Sequence, residues 1–185
     1  VALSANGSYA YVANLGGTTV SLCSVDAATG LFTSCIDSGG TGFSSPAGVA
    51  LSANGSYAYV ANVGGTTVSL CSVNATTGAL SNCTSTGTGF SSSYGLTLSA
   101  NGSYAYVANY GGHTVSLCSV NATTGAFTNC ASTGSGFSGP ETVTLSANGS
   151  YAYVADWSAS KVWQCSVDAT TGVLTGCIDS GGTGF

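Results

Sequence analysis

The sequence predicts an all-β array of four short antiparallel sheets, and three observations predict it. The stretch LSANGSYAYVAN stands at 3–14, 51–62 and 98–109, and returns as LSANGSYAYVAD at 145–156. Its starts, Leu3, Leu51, Leu98 and Leu145, are 48, 47 and 47 residues apart, a period at which four-stranded propeller blades repeat. Nowhere does the apolar pattern take the 3.6-residue period of an amphipathic helix. The prediction is a β-propeller-type array of four four-stranded blades of about 47 residues, over 1–48, 49–95, 96–142 and 143–185 of one continuous repeat array.

Each element of the second repeat can be read in order. The first strand is GVALS (48–52), which recurs as GLTLS (95–99) and TVTLS (142–146). Asn54-Gly55 then makes a tight turn, since Asn-Gly tolerates positive φ at both central positions. In the second strand, SYAYVAN, Tyr57 and Tyr59 point to one face and Ala58 and Val60 to the other. Both faces are apolar, so both need cover, which a blade between two neighbours receives. Gly64-Gly65 breaks the chain before the third strand, TTVSLCSV (66–73). NATTG (74–78) reverses it, with the Asn capping its own turn and the Gly supplying a left-handed residue. The fourth strand, ALSNC (79–83), returns, and an SSPAG-type link (44–48) joins blades. A single such sheet cannot bury both faces, so near-identical neighbours require near-identical residues.

Eight cysteines fall as one pair per repeat: Cys23 and Cys35, Cys71 and Cys83, Cys118 and Cys130, Cys165 and Cys177. The constant spacing favours one bridge within each repeat, across the hairpin, where opposed residues come within disulfide reach. Metal-binding spacing such as CxxC is missing, so no metal is expected. Paired cysteines imply an oxidising setting, extracellular, periplasmic or at the cell surface, and a secreted extracellular or cell-surface protein is expected.

Charge excludes several partners. There is one lysine (Lys161), no arginine, one histidine (His113) and a formal net charge of -5. Such a surface cannot neutralise a phosphate backbone, so nucleic acid is excluded as a partner. No apolar run is long enough for a membrane-spanning helix. No signal peptide or initiator methionine is present, and CIDSGGTGF occurs at 35–43 and again at 177–185. These features lead to the expectation of a segment of a longer precursor that assembles with copies of itself, with glycans or cell-surface proteins as further partners.

The repeat GVALSANGSYAYVAN with TVSLCSV resembles the YVTN-type β-propeller repeat, which is related to lactonase-like and NHL-type propellers. YVTN appears here as YVAN (11–14, 59–62, 106–109) and YVAD (153–156), and the SPDG-like turn as SANG. The resemblance covers all four repeats. It implies blades of a ring that usually closes with seven, and propellers host many activities. The cysteine pairs are additional to the motif and point to a secreted structural variant. A lactonase would need ionisable groups converging on a central channel, and the sequence by itself matches none.

The candidate residues read mostly as structural. Asp26 and Asp168 occupy the turn position of Asn74 and Asn121 and read as caps. Asp37 and Asp179, in the matching CIDSGGTGF segments, could face a cation, although a hard-ion site needs more oxygens. Glu141 and Asp156 complete the acids. His113 stands where Thr18 and Thr66 do and reads as an exposed variant. Trp157, Trp163 and Lys161 make repeat four the odd one, either an end repeat adapting to a different neighbour or an aromatic contact for a sugar or protein. Asn6, Asn54, Asn101 and Asn148 in the SANG turns, with Asn74 and Asn121, are candidate N-glycosylation acceptors. The expected function is therefore a non-enzymatic, extracellular structural protein without cofactors, in a filament, surface layer or adhesin stalk. A lectin-like or adhesive propeller is the alternative.

Overall fold

In the computed structural model, which describes residues 1–182, the chain folds as four consecutive meanders. Blade 1 holds β1 (Ala2–Leu3), β2 (Tyr9–Ala13), β3 (Val20–Val25) and β4 (Phe32–Asp37). Blade 2 holds β5 (Pro46–Leu51), β6 (Tyr57–Asn62), β7 (Val68–Val73) and β8 (Leu80–Thr86). Blade 3 holds β9 (Ser93–Leu98), β10 (Tyr104–Asn109), β11 (Thr114–Val120) and β12 (Phe127–Thr133). Blade 4 holds β13 (Pro140–Leu145), β14 (Tyr151–Asp156), β15 (Lys161–Val167) and β16 (Leu174–Asp179). Each sheet keeps sequence order with antiparallel neighbours. In repeat two the first strand starts at Pro46 rather than Gly48; a proline fits as the first residue of a strand. The second copy of CIDSGGTGF ends outside the described residues.

The core lies in three seams between blades rather than inside any one sheet. The tyrosines of YAYVAN build them. Tyr11, Tyr59 and Tyr106 are fully buried. Their hydroxyls donate to the carbonyls of Gly78, Gly125 and Gly172 in the turn of the following blade, at 2.7, 2.9 and 2.7 Å. Tyr9, Tyr57 and Tyr104 reach Thr76, Thr123 and Thr170 of the same turns. Tyr59 stacks on Phe127 with centroids 4.7 Å apart. Burial, and secondarily the neighbouring Tyr57 or Tyr104, pushes the Tyr59 and Tyr106 hydroxyls up to about 12. The alternation expected from the sequence is thus observed, with Ala58 and Val60 buried on the opposite face.

The first strands run side by side at the axis. A Cβ on Gly48 would lie 2.5 Å from the Tyr94 carbonyl oxygen, and one on Gly95 would lie 2.6 Å from that of Glu141. Only glycine admits this approach. At the outer rim, Cys23–Cys35, Cys71–Cys83, Cys118–Cys130 and Cys165–Cys177 are bridged, with Cα atoms 4.0–4.1 Å apart. Closing so short a loop contributes on the order of 3 kcal/mol per bridge in the chain-entropy model. The bridges also support the seams, since Gly40, Gly87 and Gly134 of the connectors sit directly over Cys83, Cys130 and Cys177. Four disulfides mark an exported protein. No helix of the described residues is long and apolar enough to cross a membrane.

Two turns behave differently from one another. At Asn74 the side-chain oxygen accepts from Thr76 and Thr77 N–H, and Gly78 takes φ 73, as expected. At Asn54-Gly55 only the glycine takes positive φ, 69. The expectation of two left-handed residues is therefore corrected. The Asn54 side chain instead accepts from Ser52 Oγ and Ser56 N–H, which holds the asparagine in an ordinary conformation.

Candidate functional site

Meander topology gives each blade two ends. The SANG and NATTG turns share one end, and the connectors and second-to-third-strand loops share the other. Clefts of about 390, 210 and 220 Å³ lie between blades at the first end. Their tyrosine hydroxyls are already engaged by turn carbonyls. A cavity of about 500 Å³ opens at the other end of blade 4, lined by Glu141, Asp156, Trp157, Ser158, Ser160 and Lys161 together with Ala155 and Val162.

Repeat four builds this cavity by departing from its siblings. In blades 1–3 the asparagine of YVAN donates through Nδ2 to a threonine and a serine on the next strand. For Asn14 these are Thr19 and Ser21 at 2.8 and 3.0 Å, and for Asn109 they are Thr114 and Ser116 at 3.3 and 2.8 Å. Asn62 repeats the pattern with Thr67 and Ser69. In blade 4 the three positions become Asp156, Lys161 and Trp163. A carboxylate cannot donate, so the serine acceptor is replaced by an indole donor. Trp163 Nε1–H meets Asp156 at 3.1 Å. Asp156, only 2% exposed, also accepts from the N–H groups of Ser138, Gly139 and Ala159 at 2.7, 2.8 and 3.1 Å. It thereby ties the incoming connector, the 157–160 loop and Trp163 together. Such charge-assisted bonds are what permit a buried carboxylate.

Around that knot stand the reactive groups. Lys161 Nζ lies 3.2 Å from Asp179, both side chains being about two-fifths exposed, and 5.4 Å from the Trp163 ring centroid. Asp179 is held below the usual carboxylate range, first by the Gly181 N–H and then by Lys161. Glu141, half-buried at the start of the innermost strand of blade 4, makes no ion pair among the described residues. Trp157 is 66% exposed. Its ring continues an aromatic row with Tyr110 and Tyr94, at centroid separations of 6.1 and 5.4 Å.

The remaining candidates lie elsewhere. Asp26 and Asp168 cap their turns, and hydrogen bonds from Thr29 and Thr171 lower both acids. Asp37 accepts the Gly39 N–H and Asp179 the Gly181 N–H, so both act as turn caps. His113 is exposed as expected but bonds through Nδ1 to the Ser138 carbonyl, joining the blade 3 loop to the connector. The asparagines of the sequons all sit in exposed turns. Sequence reasoning does not single out Glu141 and Asp156 as site residues. The available signal was that Glu141 replaces Ala47 and Tyr94 while Asp156, Lys161 and Trp163 change together.

The family described as lactonase, 7-bladed beta-propeller, matches residues 1–181. No curated protein matches the chain in sequence. Among solved structures it is similar to a putative 6-phosphogluconolactonase from Bacteroides fragilis (TM-score 0.72, 22% identity, 97% of this chain and 52% of that one). It is similar also to the periplasmic gluconolactonase of Pseudomonas aeruginosa (0.70, 19%, 95% and 51%) and to Kuenenia stuttgartiensis hydrazine synthase (0.70, 20%, 96% and 47%). The chain spans about half the length of these structures.

The family match corrects two expectations drawn from the sequence. A filament, surface-layer or adhesin element is overturned, its lectin-like alternative gains no support, and the expectation of a non-enzyme is overturned with them. The physical reason is that scarce charge is not absent chemistry: of the chain's one lysine and six acids, Lys161, Glu141, Asp156 and Asp179 gather at one rim. With blades, YVAN motif and family match in agreement along residues 1–181, the chain belongs to the lactonase family of seven-bladed β-propellers.

Proposed function

We propose that this chain carries the lactone site of an exported propeller that hydrolyses a sugar lactone, working outside the cell or at its surface. The observation that carries the reading is the convergence of Glu141, Trp157 and Lys161 on one cavity, with Asp156 fixing its walls. Family membership supports it, as does similarity to proteins described as a putative 6-phosphogluconolactonase and a gluconolactonase.

The chemistry follows from these side chains. Trp157 offers a flat apolar face to the C–H side of a sugar ring. An ammonium has three N–H donors; Lys161 gives one to Asp179 and keeps two for the lactone carbonyl oxygen, where negative charge develops. The Glu141 carboxylate takes a proton from water as its oxygen attacks the carbonyl carbon. The ring C–O bond then breaks, the departing oxygen takes the proton that Glu141 removed from water, and a hydroxy acid results with the carboxylate of Glu141 restored. General-base assistance of this kind contributes about 10²–10⁴-fold. The test is a pH-stat assay on glucono-1,5-lactone, which reads the proton released by each acid formed. Saturable acceleration over buffer that falls at least tenfold in Glu141→Gln is expected. Hydrolysis no faster than in buffer sinks the reading.

A further inference from the structure

We infer that the lactone taken at this rim is an uncharged polyhydroxylated one and that a lactone bearing a phosphate ester is refused. The inference rests on the lactonase reading above. A phosphate needs several donors, typically an arginine fork, a lysine cluster or a cradle of backbone N–H groups. The chain has no arginine and a single lysine. That lysine is paired with Asp179 at 3.2 Å. The rim does hold a cradle, formed by the N–H groups of Ser138, Gly139 and Ala159, but the protein's own Asp156 carboxylate fills it.

The local charge balance acts in the same direction. Glu141 and Asp156 line the cavity that Lys161 enters, and Asp179 pairs with its ammonium, within a chain of formal net charge -5. Inside one rim, within about a Debye length, salt screens the repulsion of a dianion only in part. A neutral sugar lactone meets no such penalty. It finds an exposed indole face in Trp157 and hydroxyls in Ser158 and Ser160.

The experiment compares two stable ring analogues, glucono-1,5-lactam and its 6-phosphate, by isothermal titration of the whole chain. Hydrolysis of the two corresponding lactones is followed alongside. The neutral lactam is expected to bind at least tenfold more tightly than the phosphate. Asp179→Asn, which releases Lys161, is expected to narrow that gap several-fold. Equal or tighter binding of the phosphate, with faster opening of the phosphorylated lactone, overturns the inference and leaves the lactonase reading standing. If neither lactam binds and neither lactone is opened, the lactonase reading fails and the inference falls with it.

Discussion

At the scale of single residues, the exchange of Asn, Thr and Ser for Asp, Lys and Trp in repeat four is a matched set, and it makes a thermodynamic prediction. Asp156→Asn with its amide in place of Oδ2 puts a donor toward the Trp163 indole N–H and removes the acceptor of the Ser138 N–H. The expected cost is about 1–3 kcal/mol, that of a buried polar group left unpaired. Trp163→Ser alone leaves the carboxylate short of a donor and a void beside Phe137, its edge-on neighbour. The double variant restores the pairing of Asn62 with Ser69. Urea denaturation of the four species should therefore show a coupling of at least about 0.5 kcal/mol, with the second substitution costing less in the presence of the first. Strict additivity would show that the pair does not act together. Every one of these letters was legible in the sequence. What could not be read there was that positions 141, 156, 161 and 163 meet, because 141 lies on the innermost strand and the others on the next two.

At the scale of elements, the blades were legible and their joints were not. Alternation in SYAYVAN gave the two buried faces, and the cysteine spacing gave the hairpin partners. The turn at Asn54-Gly55 departs from the expectation because the asparagine side chain supplies hydrogen bonds that make a second left-handed residue unnecessary. Nor did any local pattern reveal that connector glycines seat on the next blade's disulfide. That contact separates two glycines of similar conformation. Gly87→Ala would force a Cβ to 2.7 Å from the Phe90 ring and 2.9 Å from Cys130 Sγ, at φ 69, whereas Gly55→Ala, also at φ 69, meets nothing within 4 Å. The second should cost only the left-handed penalty of about 1–2 kcal/mol, and the first distinctly more, as read from chemical denaturation. The tyrosines divide similarly. Tyr59→Phe leaves the buried Gly125 carbonyl without its partner and should cost about 1–3 kcal/mol. Tyr57→Phe, whose bond to Thr123 is exposed, should stay within about 0.5 kcal/mol.

At the scale of the whole molecule, stability resides in the seams, so the seams should set the alkaline limit. Tyr59 and Tyr106 titrate near 12 when folded and near 10 when unfolded. The folded state therefore holds more protons between these values. Their contribution is complete below about pH 10 and is lost as pH rises toward 12. Circular dichroism should show unfolding in that window, together with the tyrosinate absorbance. Ionisation of all ten tyrosines near 10 with the sheets intact would place those hydroxyls outside the seams. The proposed placement of a lactone site can be tested more directly still, because the chain's two tryptophans, Trp157 and Trp163, both belong to repeat four, one at the cavity and one beneath Lys161. Titration with glucono-1,5-lactam while tryptophan emission is recorded should give a saturable change that is largely removed in Trp157→Phe. Lactone hydrolysis by a chain whose tryptophan emission does not respond to the lactam would contradict the placement of the site at blade 4.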